Sequence, residues 1–236
     1  MKEIIIEKLM ELGITGEEDK ARMLLDYMDL ILEANEKVNL TAITDRTEFV
    51  NKHIIDSLAA ASLGEFAEGG RVIDVGTGGG FPGIPLAICY PDKDYVLVDS
   101  LAKRIRIIED ACEKLGIRCV KALHGRAEEL ARQEDLRDSF DICLSRAVAN
   151  MSTLTELCMP FVKVGGSFVA YKGEDCDREV SEAAKAIAAL GGELAGIYPQ
   201  PAAQGMEHHS LVVVKKISPT EDRFPRKAGK PAKSPL

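Results

Sequence analysis

The sequence predicts an α/β fold with a mostly parallel sheet, an antiparallel terminal strand and a helical N-terminal cap. The first 66 residues carry apolar side chains at helical spacing, and short apolar runs alternating with helical segments follow Gly69 and Gly70. The last two strand-like runs have no room for a helix between them. Strands that alternate with helices favour a parallel sheet, and two strands joined without a helix favour an antiparallel pair.

The cap is predicted over residues 1–66. Its apolar residues recur at helical spacing from Glu3 to Glu36, and Gly13 and Gly16 indicate a break between two helices. A further helical pattern runs from Asp45 to Leu63. The cap therefore ends just before the first predicted strand.

The core is predicted over residues 67–218. Five strands of the parallel part are expected at Arg71–Val75, Tyr95–Asp99, Arg118–Ala122, Phe140–Ser145 and Ser167–Tyr171. The helices between and after them are expected at Pro85–Tyr90, Leu101–Leu115, Ala127–Ala131, Met151–Val162 and Arg178–Leu190. The final runs, Glu193–Tyr198 and Ser210–Lys216, should form a hairpin at one sheet edge. That ending is typical of Rossmann-like S-adenosylmethionine (SAM)-dependent methyltransferases, whereas dinucleotide dehydrogenases continue with parallel strands.

Length and charge limit the classes of protein to consider. A chain of 236 residues with 46% hydrophobic residues fits one domain with appendages. The net charge of −8 argues against a protein that coats nucleic acid non-specifically. However, residues 215–236 carry seven basic and two acidic side chains, so the C-terminal tail, residues 219–236, predicts a local basic patch.

Membrane and metal functions are not expected. The segment Met1–Ile14 has an apolar run too short for a signal peptide or a membrane span, which predicts a cytoplasmic protein without membrane contact. The six cysteines form no C-x-x-C pair and the four histidines have no ligand spacing, so we expect buried reduced thiols and no metal. The protein is expected to be a monomer.

A glycine-rich turn follows the first predicted strand. Five of the eight residues from Gly76 to Gly83 are glycine, and Gly78 to Gly83 match G-x-G-x-x-G, which by itself suits NAD, FAD or SAM. Asp74 lies two residues before the first glycine. A carboxylate there would repel a pyrophosphate on the helix N-terminus but attract the cationic groups of SAM.

Further candidate residues stand at strand ends and in the cap. Asp99 ends the second predicted strand, where a carboxylate can accept both ribose hydroxyls or, alternatively, cap the following helix. Arg146 follows the fourth strand, a position that faces both cofactor and substrate in such folds, although a surface arginine is the simpler interpretation. His53 and Asp56 share a helix face and could bind substrate or simply pair with each other.

The chain resembles the GidB family of bacterial small-subunit ribosomal RNA methyltransferases over nearly its whole length. Departures are minor, with Lys52 where the family often has Arg and Phe224 where it often has Tyr. The segments that carry the resemblance are Asn39-Leu40-Thr41, His53-Ile54-Ile55-Asp56-Ser57, Asp74 to Gly83, Asp99-Ser100 with Lys103-Arg104, Arg126-Ala127-Glu128, Ser145-Arg146-Ala147, Lys172-Gly173 and Arg223 to Gly229.

The resemblance implies the cofactor and a set of site residues. SAM is the implied cofactor, with Gly76, Gly78 and Phe81 around its methionine and ribose and with Ala127 and Glu128 beside its adenine. The resemblance and the strand-end positions suggest six substrate-binding residues: Asn39, His53, Arg146, Lys172, Arg226 and Lys227. In the tail, Arg226 and Lys227 are expected to contact RNA phosphates from an extended segment.

The implied reaction is methyl transfer to N7 of a guanosine in 16S rRNA, with the small ribosomal subunit as partner. Because N7 is an unprotonated acceptor nitrogen, no general base is required and no catalytic residue is assigned. Two alternatives remain: an NAD-dependent oxidoreductase with the same first β-α-β unit, and a non-catalytic RNA- or ribosome-binding module.

Overall fold

The computed structural model describes residues 1–200 and 209–236, and within them the predicted α/β architecture is confirmed. The described strands form one seven-stranded sheet in the order β3-β2-β1-β4-β5-β7-β6. Only β7 runs antiparallel to its neighbours β5 and β6. The strands are β1 Arg71–Val75, β2 Asp94–Asp99, β3 Val120–His124, β4 Phe140–Arg146, β5 Val162–Lys172, β6 Gly192–Pro199 and β7 Ser210–Lys216.

The helices follow the predicted order with shifted bounds. The α-helices are α1 Lys2–Glu11, α2 Glu17–Asn35, α3 Arg46–Phe49, α4 Gly64–Glu68, α5 Gly83–Cys89, α6 Ala102–Leu115, α7 Ala127–Leu130, α8 Met151–Cys158, α9 Cys176–Glu182, α10 Ala184–Ala189 and α11 Lys230–Lys233. The helix expected at Arg178–Leu190 is two helices, because the backbone at Ala183 has a ψ of −3°. None of the helices in the described part of the chain is long and apolar enough to cross a bilayer.

The helical stretch expected from Asp45 to Leu63 changes its hydrogen-bond pattern along its length. It begins as α3, continues as a π-helix over Val50–Ile55 and closes with a 3-10 turn over Leu58–Ser62. Asp45 caps its start by accepting a hydrogen bond from the amide of Glu48 at 2.8 Å. Short π-helical segments are rare and often lie at functional sites, and this one contains His53.

Alternating strand residues build two hydrophobic cores on opposite faces of the sheet. Val72 and Leu144 pack with the cap helices, whereas Ile73 and Cys143 pack with α8, α9 and α10 on the other face. Successive strand side chains point to opposite faces, which explains the separation. The cap therefore covers one face of the sheet and shares its core.

The C-terminal tail differs from the extended segment that its composition predicts. Phe224 is buried in the second core, and Lys230–Lys233 form the short helix α11 after Gly229, which has a φ of 78°. Arg132 and Arg137 donate hydrogen bonds to tail carbonyls, among them those of Pro225 and Phe224. These hydrogen bonds satisfy carbonyl groups of the tail and hold it on the domain.

Candidate cofactor and substrate site

The glycine-rich turn connects β1 to α5 at the carboxyl edge of the sheet. The amides of Gly76 and Thr77 both donate to the Val98 carbonyl, at 2.9 and 3.0 Å, which fixes the turn against β2. Gly76 and Gly78 have φ values of 75° and 60°, a conformation that side chains other than glycine rarely adopt. The glycines therefore allow the backbone conformation of the turn as well as the close approach of a ligand to it.

The cap contacts this turn directly. The buried Tyr27 hydroxyl on α2 donates to the Gly79 carbonyl at 2.6 Å. A Cβ atom at Gly80 would collide with the same hydroxyl, so the turn and the cap fit each other only with glycine there. Sequence reasoning missed Tyr27, because a tyrosine on an apolar helix face resembles ordinary core.

Asp74 lies beneath the turn. Its Oδ2 accepts hydrogen bonds from the Thr77 hydroxyl at 2.7 Å and the Gly83 amide at 2.9 Å. Its Oδ1 is buried and has no hydrogen-bond partner in the described residues. Burial raises the pKa of Asp74 to about 6, against the lowering effect of these hydrogen bonds. An unpartnered carboxylate oxygen at this place fits a cationic ligand.

A cleft of about 400 Å³ opens beside the turn, at the carboxyl ends of β1, β2 and β4. Its volume lies within the usual range for small-molecule sites. The predicted residues Gly76, Asp99, Ala127 and Glu128 all line it. Its other lining residues are Val75, Val98, Ser100, Arg104, Gly125, Arg126, Ala147, Val148, Ala149, Thr153, Leu157, Gly229 and Ala232.

Asp99 fixes the backbone before α6 but is not its cap, because Leu101 holds the N-cap position without a side-chain cap, and the ribose contact of Asp99 stays a prediction. One carboxylate oxygen accepts from the Leu101 amide at 2.9 Å, at the start of α6. The other accepts from the Gly78 amide at 3.0 Å and from Arg104 at 3.2 Å. A carboxylate has about four acceptor positions, so one remains for a ribose hydroxyl. Asp99 thus ties the glycine turn to α6 and lines the cleft.

These features fit SAM. The cleft has an acceptor at its β2 side in Asp99 and small residues at Gly76 and Ala127 where a flat ring needs room, and the buried Asp74 carboxylate lies under the turn, outside the residues that line the cleft. Glu128 accepts from the Gly229 amide at 2.8 Å, so its second oxygen is the one that faces no described partner. Asp74, Asp99 and Glu128 would hold the cationic, ribose and adenine parts respectively.

A buried hydrogen-bond network lies at the carboxyl end of β4. Arg146 donates to Asp56 at 2.6 Å and to the Lys52 carbonyl at 3.1 Å, and its other terminal nitrogen lies 3.1 Å from His53 Nδ1. His209 Nδ1 lies 3.2 Å from the second Asp56 oxygen. Although burial acts to raise it, the hydrogen bond from His209 and the charge of Arg146 hold the pKa of Asp56 below its usual range.

Ring stacking and polar contacts at both nitrogens fix the His53 ring. It stacks on Phe81 with centroids 4.8 Å apart, and its Nε2 lies 2.7 Å from the Thr41 hydroxyl. Burial first, and then the charge of Arg146, lowers the pKa of His53 to about 4. Because Arg146 must donate to Nδ1, we assign the neutral tautomer with the proton on Nε2. His53 is therefore an uncharged part of the network at neutral pH.

The network brings together several predicted residues. Arg146 is not a surface arginine, since only 12% of its side chain is exposed. His53 and Asp56 both contact Arg146 and do not pair with each other alone. Phe81 packs beneath His53, so the structure places it between the glycine turn and the network. His209 also joins this network, whereas its neighbour His208 lies outside the described residues.

The remaining predicted substrate residues are dispersed. Asn39 is exposed in the segment after α2, and Lys227 is exposed in the tail. Lys172 donates to the Ala149 carbonyl at 2.8 Å and to Glu179 at 2.6 Å, with 9% of its side chain exposed. Lys172 therefore holds the loop after β4, which forms one side of the cleft.

Arg226 is engaged within the domain. Its guanidinium makes a bidentate ion pair with the fully buried Glu156, with its Nη2 2.5 Å from Oε2, and it also donates to the Ser234 carbonyl. These contacts use Nε and Nη2, so Arg226 holds the tail on the domain, and its contact with an RNA phosphate stays a prediction. Sequence reasoning missed Glu156, because its position within α8 gives no local signal of its partner.

Comparisons with known proteins agree with this geometry. A family model described as GidB, rRNA small subunit methyltransferase G, matches residues 20–202. The chain is 48% identical to a protein of Clostridium perfringens (strain 13 / Type A) named ribosomal RNA small subunit methyltransferase G, over 95% of this chain and 94% of the relative. A protein of the same name from Alkaliphilus metalliredigens (strain QYMF) is 41% identical over 100% of this chain and 98% of its own.

Solved structures share the fold at low identity. A variant of MtNAS in complex with S-adenosylmethionine matches with a TM-score of 0.54 and 18% identity, covering 92% of this chain and 78% of its own. A putative O-methyltransferase from Klebsiella pneumoniae matches with a TM-score of 0.53 and 13% identity, covering 81% of this chain and 90% of its own. The family match extends over most of the chain and includes the glycine turn, the cleft residues up to Leu157, and Arg146 with His53 and Asp56. The chain therefore belongs to the GidB family, rRNA small subunit methyltransferase G.

Proposed function

We propose that this protein transfers the methyl group of SAM to N7 of a guanosine in 16S rRNA, acting on the small ribosomal subunit in the cytoplasm as a monomer. The observation that carries the proposal is the likeness to rRNA small subunit methyltransferase G over nearly the whole chain. When bound, SAM supplies a methyl group on a cationic sulfonium. The residues of this chain must then orient an acceptor toward the cleft.

The side chains near the cleft suit an acceptor that needs no deprotonation. N7 of guanine is a ring nitrogen with a free lone pair. His53 is neutral but its ring nitrogens are both engaged, and Asp56 is ionised but holds Arg146 and His209. Neither side chain is therefore placed to remove a proton. Alignment of the reacting atoms is the main contribution left to the protein.

Arg146 is the residue best placed to recognise the guanine. Guanidinium groups carry five N–H donors, of which the contacts to Lys52, Asp56 and His53 use three. The remaining donors, or the exposed Asn39 amide, can reach the O6 acceptor beside N7. Because side chains cannot enter the deep major groove of an RNA helix, the target guanine must be unpaired or splayed out.

The two alternatives fit less well. An NAD-dependent oxidoreductase would require a pyrophosphate above the buried, unpartnered Asp74 carboxylate, and family membership also argues against it. A non-catalytic ribosome-binding module would not need the intact cleft. It would predict RNA binding without methyl transfer.

Small subunits from a strain that lacks the gene, incubated with the purified protein and tritiated SAM, test the proposal. We expect label in 7-methylguanosine at one nucleotide of 16S rRNA, located by chain cleavage at the modified base. An Arg146→Gln variant should bind SAM but transfer little label, and Arg178→Gln, at an exposed surface position, should behave as wild type. Label in another nucleoside, or none, would contradict the proposal.

A further inference from the structure

The C-terminal segment, residues 226–236, is fixed to the domain by a buried ion pair; we call this segment the strap. Glu156 on α8 is 0% exposed and accepts from the Arg226 backbone amide at 2.8 Å, from Nε at 2.9 Å and from Nη2 at 2.5 Å. A buried carboxylate is costly unless it is paired and hydrogen-bonded. The pair therefore fixes where the strap begins.

Two further contacts fix the middle of the strap. The Gly229 amide donates to Glu128 at 2.8 Å, and the Thr153 hydroxyl donates to the Pro231 carbonyl at 3.1 Å. Pro231 is itself buried against the domain. Glu128 and Thr153 lie on different elements, α7 and α8, so the strap crosses from one to the other.

The strap lies at the cofactor cleft. Gly229 and Ala232 line it together with Ala127 and Glu128. At Gly229 the φ of 78° favours glycine, and an added Cβ would meet no atom within 4 Å. A glycine there gives the backbone room to approach a ligand. The strap is thus the outer wall of the cleft at the Ala127 side.

We propose that Glu156 is a positioning residue for the cofactor, which acts through Arg226 by holding the strap as one wall of the cleft around the adenine of SAM. Glu156 is itself not among the residues that line the cleft. Its effect is to place Gly229 and Ala232 opposite Ala127. The inference rests on SAM as cofactor and is independent of guanine N7 as acceptor.

A Glu156→Gln variant, which keeps the shape of the side chain and removes its charge, tests the proposal. The probe is S-adenosylhomocysteine, which has no methyl group to transfer, measured by calorimetry on the full chain. We expect at least about tenfold weaker binding, the effect of losing one or two buried hydrogen bonds. Amide hydrogen exchange should become faster in residues 226–236 and should no longer slow when the probe is added.

An Asp138→Asn variant is the matched control. Asp138 pairs with the fully buried Lys216 at 2.5 Å. This pair lies at the amino ends of β4 and β5, whereas the cleft lies at the carboxyl ends of the strands. This variant should lose stability but bind S-adenosylhomocysteine as wild type does. Equal weakening in both variants would mean that loss of a buried ion pair is enough, and would overturn the proposal.

A chain that ends at Ala228 provides a test that does not depend on the folding of the Glu156 variant. It retains the Arg226–Glu156 pair and removes the residues that form the wall. We expect the same weakening of S-adenosylhomocysteine binding. Wild-type affinity in the shortened chain would overturn the proposal. So would wild-type affinity in a Glu156→Gln variant whose residues 226–236 show faster amide hydrogen exchange. Lack of 7-methylguanosine with normal probe binding would instead contradict only the proposed acceptor.

Discussion

Two buried titratable residues near the cleft have pKa shifts that matter for function. Burial raises the pKa of Asp74 to about 6 and lowers that of His53 to about 4. Both shifts favour the neutral form of the side chain, as desolvation does. The first should appear in cofactor binding and the second in stability.

Cofactor affinity should depend on the ionisation of Asp74. Because the carboxyl keeps its proton up to about pH 6 in the free protein and SAM is cationic, affinity for SAM should rise between pH 5 and pH 7 and level off above. Calorimetry across that range measures it. Asp74→Asn can still accept from Gly83 and should bind SAM weakly with little pH dependence. An unchanged pH slope in this variant would contradict the role of Asp74.

Stability should depend on the ionisation of His53. Its pKa is lower in the folded protein than in the unfolded chain, so the unfolded state binds more protons between pH 6.5 and about 4, and stability is lost as the pH falls through that window. The loss can reach about 3 kcal/mol.

Comparison with a His53→Gln variant isolates this effect. The raised pKa of Asp74 acts the other way, since it adds stability as the pH falls through about 6. The wild type should therefore become less stable relative to His53→Gln on going from pH 7 to pH 4, as measured by urea unfolding at each pH. A constant difference between the two proteins would show that His53 is not the titrating group.

Asp99 should contribute to both cofactor binding and local structure. Its replacement by alanine removes acceptors for Gly78, Leu101 and Arg104 and should weaken SAM binding by about 1–3 kcal/mol without unfolding the protein. Calorimetry on the folded variant measures the loss. Asp94→Ala, at the exposed start of the same strand, is the control, and equal SAM affinity in both variants would contradict the ribose assignment.

At the scale of elements, the strap has two faces with different functions. Its backbone and Arg226 face the domain, whereas Lys227, Lys230 and Lys233 are exposed and have no side-chain partner among the described contacts. Exposed lysines beside a cleft suit RNA phosphates. The lysines therefore test the basic-tail hypothesis most directly, because Arg226 also holds the strap on the domain.

Neutralising the three lysines should weaken RNA binding and leave SAM binding unchanged. The triple variant Lys227→Gln, Lys230→Gln and Lys233→Gln should bind 16S rRNA more weakly, with a salt slope reduced by about 0.7 for each lost contact on single-stranded RNA. Its affinity for SAM should not change, because the backbone of the strap stays in place. A triple variant of exposed lysines outside the tail, Lys37, Lys114 and Lys185, controls for net charge. Equal effects in the two would argue against a local contact.

At the scale of the whole molecule, the cap and the sheet act as one unit. Ile5 and Tyr27 of the cap belong to the same buried cluster as Val72 and Val213 of the sheet. The glycine turn is therefore supported from the cap side as well as by β2. Loss of cap contacts should be transmitted to the cofactor cleft.

A Tyr27→Phe variant tests this connection. It removes one hydroxyl and leaves the buried Gly79 carbonyl without its donor, which should cost about 1–3 kcal/mol of stability and also weaken SAM binding. Chemical denaturation and calorimetry measure the two effects. Tyr95→Phe is the control, because the Tyr95 hydroxyl makes a long 3.4 Å contact to the Tyr90 carbonyl at the other edge of the sheet. Unchanged SAM affinity in Tyr27→Phe would show that the cap does not support the turn.

The amino-acid sequence by itself determined where the strands of the core lie along the chain and the position of the glycine-rich turn. Apolar runs such as Arg71–Val75 and Ser210–Lys216 coincide with observed strands, because a buried strand needs a continuous apolar pattern that is visible locally. The positions of Asp74, Asp99 and the glycines at strand ends and in the turn could be predicted as well, since each is recognised from its neighbours in the sequence. The lengths of α9 and α10 and the π-helix at His53 were not, because they depend on packing.

Only the tertiary structure decided which distant residues meet. Tyr27 reaches Gly79 across 52 positions, Arg226 reaches Glu156 across 70, and His209 reaches Asp56 across 153. No local pattern marks such partners, because each residue alone fits a surface or core position equally well. Burial then determines their function: a carboxylate removed from water must find a cation or a donor, and the fold supplies it from another segment of the chain.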